Sequence, residues 1–149
     1  MTKHPEGGYY KETYRSGDTM ITVRNTKRNV STAIYFLLVS EEKSMFHRIQ
    51  SDEHWFYHQG ETLEIILIQH GVLNTISLGN SFEKGEMPQA TIPANTWFAA
   101  KVKLEKGYAL VSCTVAPGFD FDDFELAKRQ SLLDEYPHLK ETIEAFTKD

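Results

Sequence analysis

The residues best suited to chemistry lie close together in one segment of the chain, Phe46–Gly60. Three of the six histidines, His47, His54 and His58, fall in this segment beside the acid Glu53. Imidazole and carboxylate groups bind transition metals, and an imidazole beside a carboxylate can also act as a general base. The segment therefore predicts a site that binds a metal, moves a proton or holds a polar ligand.

Strand geometry separates these side chains into two groups. Successive residues of a β-strand point to opposite faces, so His54 and His58 lie on the face opposite to Glu53. If Glu53 points into the interior, these two histidines point away from it, and we expect them at the surface or in a subunit interface. His47 then remains as the interior imidazole near Glu53, while His4 in the N-terminal tail has no evident partner.

The elements that carry this segment are short strands. Apolar runs alternate along the chain with turn signals rich in Gly, Pro, Asn and Asp, a pattern typical of an antiparallel sandwich or barrel. The run Leu63–Ile68 is more uniformly apolar, which predicts a strand covered on both faces or lying in a subunit interface. The predicted strands are Met20–Val23, Ala33–Val39, His54–His58, Leu63–Ile68, Val72–Leu78, Trp97–Leu104 and Tyr108–Val115.

The last quarter of the chain has the pattern of helices. Asp122 and Glu125 have the spacing of a capping box, so we expect a helix from about residue 123 to residue 134. Pro137 suits the first turn of a second helix, which would dock on the barrel through an apolar face. That face consists of Leu139, Ile143 and Phe146.

Composition limits the classes of protein that fit. A length of 149 residues suits one domain. The net charge of −5 argues against nucleic acid as the main partner, because phosphate binding needs a basic surface. No apolar run approaches the roughly 20 residues of a membrane span, and the N-terminus lacks the apolar core of a signal peptide, so we expect a cytoplasmic protein without membrane contact. The single cysteine, Cys113, lies in a strand-like run and predicts an inert core thiol.

One motif resembles the first signature of the cupin superfamily, which has two histidines one residue apart, a glutamate and a closing glycine. His47, Glu53 and Gly60 keep that spacing, and Ile49 stands where the second histidine would be. A glycine at the end of the motif fits a strand that closes in a turn.

A second motif, which begins at Pro93, resembles the other cupin signature. Asn95 stands in place of the turn glycine and Phe98 in place of the third histidine, and further phrases extend the resemblance from residue 4 to about residue 127. It implies an all-β jelly-roll barrel (a double-stranded β-helix) over about residues 5–118 of a single domain, 1–149. Helices at about 122–147 would follow, and the resemblance also implies a homodimer.

The resemblance implies a poor metal site. A cupin metal site typically uses three imidazoles and one carboxylate, whereas the matching positions here are His47, Ile49, Glu53 and Phe98. Two protein ligands hold a transition metal poorly. We therefore expect no cofactor; if a metal binds, its ligands would be His47 and Glu53.

What remains is an aromatic cavity around a His47–Glu53 pair. Such cavities, mostly aromatic with a few convergent polar groups, are typical of small-molecule sites. His47 would be the general base, and Tyr57, on the face of Glu53, would supply the acid; a tyrosine of the N-terminal strand is an alternative. The phosphates of a nucleotide-linked sugar would need a cation such as Arg24. The predicted ligand-binding residues are Tyr9, Tyr10, Arg24, Ile49, Trp55 and Phe98.

These expectations lead to one leading function and three alternatives. The resemblance extends to metal-free cupins that epimerise nucleotide-linked deoxysugars, so it permits acid–base isomerisation without a metal. The leading prediction is a protein that binds a small polar or sugar-like molecule in the barrel and could isomerise it. The alternatives are a metal-dependent enzyme, a ligand-binding sensor without catalysis, and a His47–Glu53 hydrogen bond that serves structure alone.

Overall fold

Strands make up about half of the computed structural model, which describes residues 1–149. The strands are β1 (Thr2–Lys3), β2 (Tyr9–Arg15), β3 (Thr19–Ile21), β4 (Lys27–Asn29), β5 (Thr32–Val39), β6 (Lys43–Arg48), β7 (Asp52–Gly60), β8 (Leu63–Gln69), β9 (Val72–Leu78), β10 (Gln89–Ile92), β11 (Trp97–Val102), β12 (Tyr108–Ala116) and β13 (Glu125–Leu126). Two short helices follow, α1 (Arg129–Glu135) and α2 (Lys140–Ala145). Neither helix is long and apolar enough to span a membrane.

The strands form two facing antiparallel sheets. One sheet has the order β1-β2-β5-β12-β7-β10 and the other has the order β13-β6-β11-β8-β9, while β3 and β4 form a separate hairpin. Neighbours in the sheets are far apart in the chain, as the β5-β12-β7 order shows, which is the connectivity of a jelly roll rather than a meander. The predicted all-β barrel is confirmed.

The main core lies between the two sheets. Side chains that alternate along β5, β7, β8, β11 and β12 meet there, because every second residue of each strand points inward. Trp55 and Phe98, from opposite sheets, are almost completely buried in this core. The remaining large members are Phe36, Leu38, Leu63, Ile65, Leu67, Leu78, Ile92 and Val111.

A second core covers the outer face of the β8–β11 sheet. Ile66 and Ile68 of β8 pack there against the helices, whereas their neighbours in β8 face the barrel. The helices contribute Leu132, Ile143 and Phe146, with Leu139 at the edge. Of the two explanations for the apolar run Leu63–Ile68, the first is therefore correct: both faces are covered within one chain. The strand gives no support for a subunit interface, and the homodimer stays a prediction.

The predicted start of the first helix is wrong. Glu125 and Leu126 form β13 and pair with Arg48 and His47 of β6, so the helix begins only at Arg129. The acidic residues before it form a 3-10 turn, in which the Asp120 carboxylate accepts from the backbone N–H of Asp122. The free edge of β6 favours a strand over a helix at this position. Pairing with β6 gives partners to backbone N–H and C=O groups that a helix end would leave without hydrogen bonds.

Candidate functional site

A cavity of about 410 Å³ opens between the two sheets. More than half of its lining residues are apolar, and two histidines and two glutamates lie among them: His4, Glu6, His47 and Glu53. All four are buried. The other lining residues are Tyr10, Glu12, Arg15, Thr32, Ile34, Phe36, Ile49, Trp55, Cys113, Val115, Phe119, Asp120, Phe121 and Phe124.

His47 pairs with Glu6 rather than with Glu53. Its Nε2 lies 2.9 Å from a carboxylate oxygen of Glu6, and its Nδ1 lies 2.7 Å from the carbonyl oxygen of Met45. A carbonyl and a carboxylate both accept hydrogen bonds, so both ring nitrogens of His47 must donate. Burial lowers the pKa of His47, but the charge of Glu6 and these hydrogen bonds outweigh it and raise the pKa. His47 is therefore an imidazolium.

Glu6 is the ionised partner of this buried ion pair. Burial raises its pKa, but the charge of His47 and the hydrogen bond from it, assisted by the hydroxyl of Ser44, hold the pKa below its ordinary value. Ser44 donates to the second carboxylate oxygen at 3.0 Å. With partners on both oxygens, the charge of Glu6 is satisfied in the interior.

A glycine turn brings Glu6 into the barrel. Gly7 has φ = 113°, a conformation that favours glycine, and a side chain there would collide with the carbonyl oxygen of Lys43. The turn therefore lies directly on β6, where the backbone N–H of Met45 donates to the carbonyl of Glu6 at 2.8 Å. The main chain before β2 thus brings the Glu6 carboxylate next to His47.

His4 takes part in the site as a neutral imidazole. Burial lowers its pKa, and this effect outweighs the opposing charge of Glu6. The backbone N–H of Glu6 donates to Nδ1 of His4 at 3.3 Å, which leaves the ring proton on Nε2. The approach of Nδ1 to the Glu6 carboxylate, 3.4 Å, is therefore a close contact without an ion pair.

Glu53 is the second buried carboxyl of the cavity, and it has no ion-pair partner. Burial, together with the charge of Glu6, raises its pKa to about 7, and His47 only partly offsets this. The pKa values of the two carboxyls in this cavity are thus shifted in opposite directions: that of Glu6 is lowered and that of Glu53 is raised. Burial and Glu53 also raise the pKa of the Cys113 thiol well above its ordinary value, so that the predicted inert thiol stays neutral.

Stability should fall with rising pH because of Glu53. Its pKa is about 7 in the fold and about 4.5 in the unfolded chain, so the native state holds a proton that the unfolded state releases between these values. A shift of this size corresponds to about 3 kcal/mol, present below pH 4.5 and lost by the time the pH passes 7. Urea unfolding across this range should show wild type losing about 3 kcal/mol relative to Glu53→Gln. Parallel pH profiles of the two proteins would contradict the assignment.

Some of the predicted site residues line the cavity together. Ile49, Trp55 and Tyr10 lie on its walls beside His47 and Glu53. The His47–Glu53 pair itself is not formed, because Glu6 occupies the position next to His47. Phe98 lies behind His47, with ring centroids 4.1 Å apart, and is a fully buried support rather than a wall.

The remaining predicted residues lie outside the cavity. The Tyr57 hydroxyl donates to the carbonyl of Gly60 in the same strand, and Tyr9 donates to Glu42 at 3.4 Å. Arg24 donates to the carbonyl of Gln50 at 3.0 Å and lies beside Asp123. The hydroxyls of Tyr57 and Tyr9 are thus used within the fold, whereas Nε and Nη2 of Arg24 are buried without a hydrogen-bond partner. His54 and His58 of β7 point away from the face that carries Glu53, as the alternation predicted. Each forms a hydrogen bond with a hydroxyl of a neighbouring strand.

The comparisons with known proteins agree with this architecture. A family model described as the cupin superfamily (DUF985) matches residues 1–127. The chain belongs to the cupin superfamily. A hypothetical protein from Leishmania major superposes with a TM-score of 0.94 at 35% identity, covering 99% of this cupin and 93% of that chain. Protein SO0799 from Shewanella oneidensis has a TM-score of 0.89 at 39% identity, covering 99% and 90%. The uncharacterized protein YML079W of Saccharomyces cerevisiae is 31% identical over 93% of this cupin and 75% of that protein.

This cupin lacks the donor set of a cupin metal centre. No group of three or more His, Cys, Asp or Glu side chains is placed to hold an ion. Ile49 and Phe98 stand at positions where cupin metal sites have histidine ligands. Both ring nitrogens of His47 donate hydrogen bonds, so neither has a lone pair free to bind a metal. The residues present do not fit a transition metal, because a catalytic centre needs about three protein ligands.

Sequence reasoning missed two members of the site, Glu6 and His4. The signal was the phrase His4-Pro5-Glu6-Gly7-Gly8, in which ionisable residues precede two glycines. Adjacent glycines predict a tight turn in which the backbone can approach another strand closely. The strand that the turn approaches, β6, is distant in sequence, so the pairing with His47 cannot be obtained from local spacing.

Proposed function

We propose that this cupin binds a small polar molecule in its barrel and moves a proton on it without a metal. The observation that carries the proposal is the arrangement of the inner wall. The carboxyl of Glu53 faces the cavity without an ion-pair partner, beside the fixed pair of Glu6 and His47. Paired titratable groups whose environments push their pKa values apart are typical of acid–base sites.

The geometry assigns the roles differently from the sequence prediction. His47 cannot be the general base, since both of its nitrogens already carry protons and donate. Glu53 is the better candidate, because a carboxyl with a pKa of about 7 exchanges protons readily at neutral pH.

The reaction that fits these groups is an isomerisation next to a carbonyl group. Glu53 as carboxylate takes a proton from the carbon beside the carbonyl. The electrons of that C–H bond form a carbon–carbon double bond, and the carbonyl oxygen receives the negative charge. The hydroxyl proton on that carbon passes to the enolate oxygen, and Glu53 returns its proton to the former carbonyl carbon, so that the carbonyl group has moved by one carbon. No oxidant, reductant or second substrate is needed.

Solvent deuterium exchange tests this function. Small aldoses and ketoses in deuterated buffer should acquire deuterium at the carbon next to the carbonyl, at a rate that rises as the pH passes about 7, because the base form of Glu53 then accumulates. Glu53→Gln should lower the rate by about 10²–10⁴-fold, the usual contribution of a positioned base. Glu41→Gln, which removes the same charge from an exposed position, is the control. Equal exchange by wild type and Glu53→Gln would refute the proposal.

A further inference from the structure

The ring of His4 lines the cavity with one nitrogen that has no partner. The backbone N–H of Glu6 donates to Nδ1, which places the proton of the neutral ring on Nε2. Nε2 makes no hydrogen bond within the fold, and it is not among the polar atoms that are buried from solvent. Only 8% of the residue is exposed, and the ring lies on the cavity wall, so a molecule bound in the cavity can reach this N–H. Such a donor favours an oxygen acceptor on the ligand.

Main-chain bonds and aromatic contacts hold this ring in position. The backbone N–H of His4 donates to the carbonyl of Gly8 at 2.9 Å, and the carbonyl of His4 accepts from the N–H of Gly7 at 3.0 Å. Tyr10 and Phe124 contact the ring edge to face, at centroid distances of 5.0 and 5.5 Å. The direction of the N–H is therefore set before a ligand binds, which is the property that a catalytic donor needs.

Glu6 links His4 to the other ionisable groups of the cavity. Its carboxylate lies 3.4 Å from Nδ1 of His4 and 2.9 Å from Nε2 of His47. The charge of the same carboxylate also acts on Glu53. His4 and Glu53 therefore lie around one bound molecule, with Glu6 near both. The cavity volume, about 410 Å³, is enough for a small sugar that contacts the two groups at once.

The proposed isomerisation needs a group that moves a proton between two oxygens. His47 cannot do so, because both of its ring nitrogens donate to fixed acceptors. Glu53 handles the proton on carbon, and Glu6 is held in its ionised form by His47. A neutral imidazole can give its N–H proton to one oxygen and take a proton back from another, so His4 has the chemistry for this task.

We infer that His4 is a second catalytic residue, whose Nε2–H binds the carbonyl oxygen of an aldose or ketose and relays a proton between two oxygens of that sugar. As Glu53 removes the proton from carbon, Nε2 gives its proton to the carbonyl oxygen, and an enediol forms. Nε2 then takes the proton of the neighbouring hydroxyl, and the electrons of that O–H bond form the new carbonyl group. The electrons of the carbon–carbon double bond accept the proton that Glu53 returns. Both residues end as they began, and the inference rests on the proposed function.

A ¹⁵N NMR titration of the histidine rings tests whether His4 binds the ligand. The variant His4→Asn assigns the His4 signals, which should show a proton on Nε2 alone at pH 7. Dihydroxyacetone should shift the Nε2 signal of His4 in a saturable manner, whereas glycerol, which lacks the carbonyl group, should not. His70, which is exposed in a turn, serves as the internal reference. A His4 signal that dihydroxyacetone leaves unmoved would overturn the inference.

Two variants of His4 separate hydrogen-bond donation from proton relay. Glutamine places an amide N–H near the position of Nε2 but cannot pass a proton on, whereas asparagine keeps an acceptor for the Glu6 N–H and removes the Nε2 donor. With glyceraldehyde in deuterated buffer, His4→Gln should keep KM within about threefold and lower kcat for isomerisation by about 10²–10⁴-fold, the usual contribution of a positioned acid or base. His4→Asn should also raise KM by about tenfold, because the carbonyl loses its hydrogen bond. His70→Asn, at an exposed position, is the control and should match wild type.

The ratio of deuterium exchange to isomerisation separates a lost relay from structural damage. Without the relay, Glu53 still removes the carbon proton and returns solvent deuterium to the same carbon. The ratio measured with His4→Gln should therefore rise by about tenfold or more, whereas damage to the fold would lower both rates together. Exchange by the wild type with an unchanged ratio in His4→Gln would overturn the inference and leave the proposed function standing. Absence of exchange in the wild type would refute the proposed function and the relay with it, even if dihydroxyacetone shifts Nε2 of His4.

Discussion

Replacing Glu6 with glutamine is expected to leave His47 neutral at pH 7, because the carboxylate that favours its protonated form is removed. Burial lowers the pKa of His47, and the carboxylate of Glu6 is the main effect that overcomes burial. Glutamine keeps the size of the side chain but removes its charge. Burial then dominates, and the imidazolium loses its proton.

Histidine NMR measures the protonation state of His47. The ¹⁵N shifts of His47 report whether one or both ring nitrogens carry protons, so the test does not depend on knowing the substrate. Glu41→Gln is the matched control, because it removes one exposed carboxylate and should leave His47 protonated. A doubly protonated His47 in Glu6→Gln would mean that Glu6 does not set its charge.

Replacing Phe98 with alanine should lower the free energy of unfolding by about 3–5 kcal/mol, the usual cost of deleting a fully buried aromatic ring. Phe98 has no exposed surface and packs between His47 and Trp55, with centroid distances of 4.1 and 6.0 Å. The ring therefore supports both sides of the site. Its loss leaves a cavity that the two β-sheets can only partly close.

Urea unfolding at a single pH measures the change. Phe82→Ala is the control, because this ring is 63% exposed in a 3-10 turn and its removal should change stability by no more than about 0.5 kcal/mol. A free energy of unfolding for Phe98→Ala within 1 kcal/mol of the wild-type value would show that the packing of this ring behind His47 does not stabilise the site.

The parts of the fold that could be predicted from sequence are those with a local physical cause. Alternation along a strand decides which side chains share a face, so the opposite positions of Glu53 and of His54 and His58 follow from spacing, whereas the resemblance implied which of the two faces is interior. The apolar face of Leu139, Ile143 and Phe146 follows from helical periodicity, and it packs on the outer sheet as expected. Helix start signals were less informative, because pairing of Glu125 with β6 displaced the helix.

The sequence by itself indicated an all-β fold through its short alternating strands, and its resemblance to the cupin signatures implied the inward position of His47 and Glu53 and the missing metal ligands. Only the tertiary structure decided the chemistry of the site. It placed Glu6 and His4 beside His47 and engaged both nitrogens of that ring. The reason is that a glycine turn determines how closely two chain segments approach, whereas the strand it approaches depends on the topology of the whole barrel. Because Glu6 is the partner of His47, Glu6 is the ionised carboxyl and Glu53 is the one whose pKa is raised.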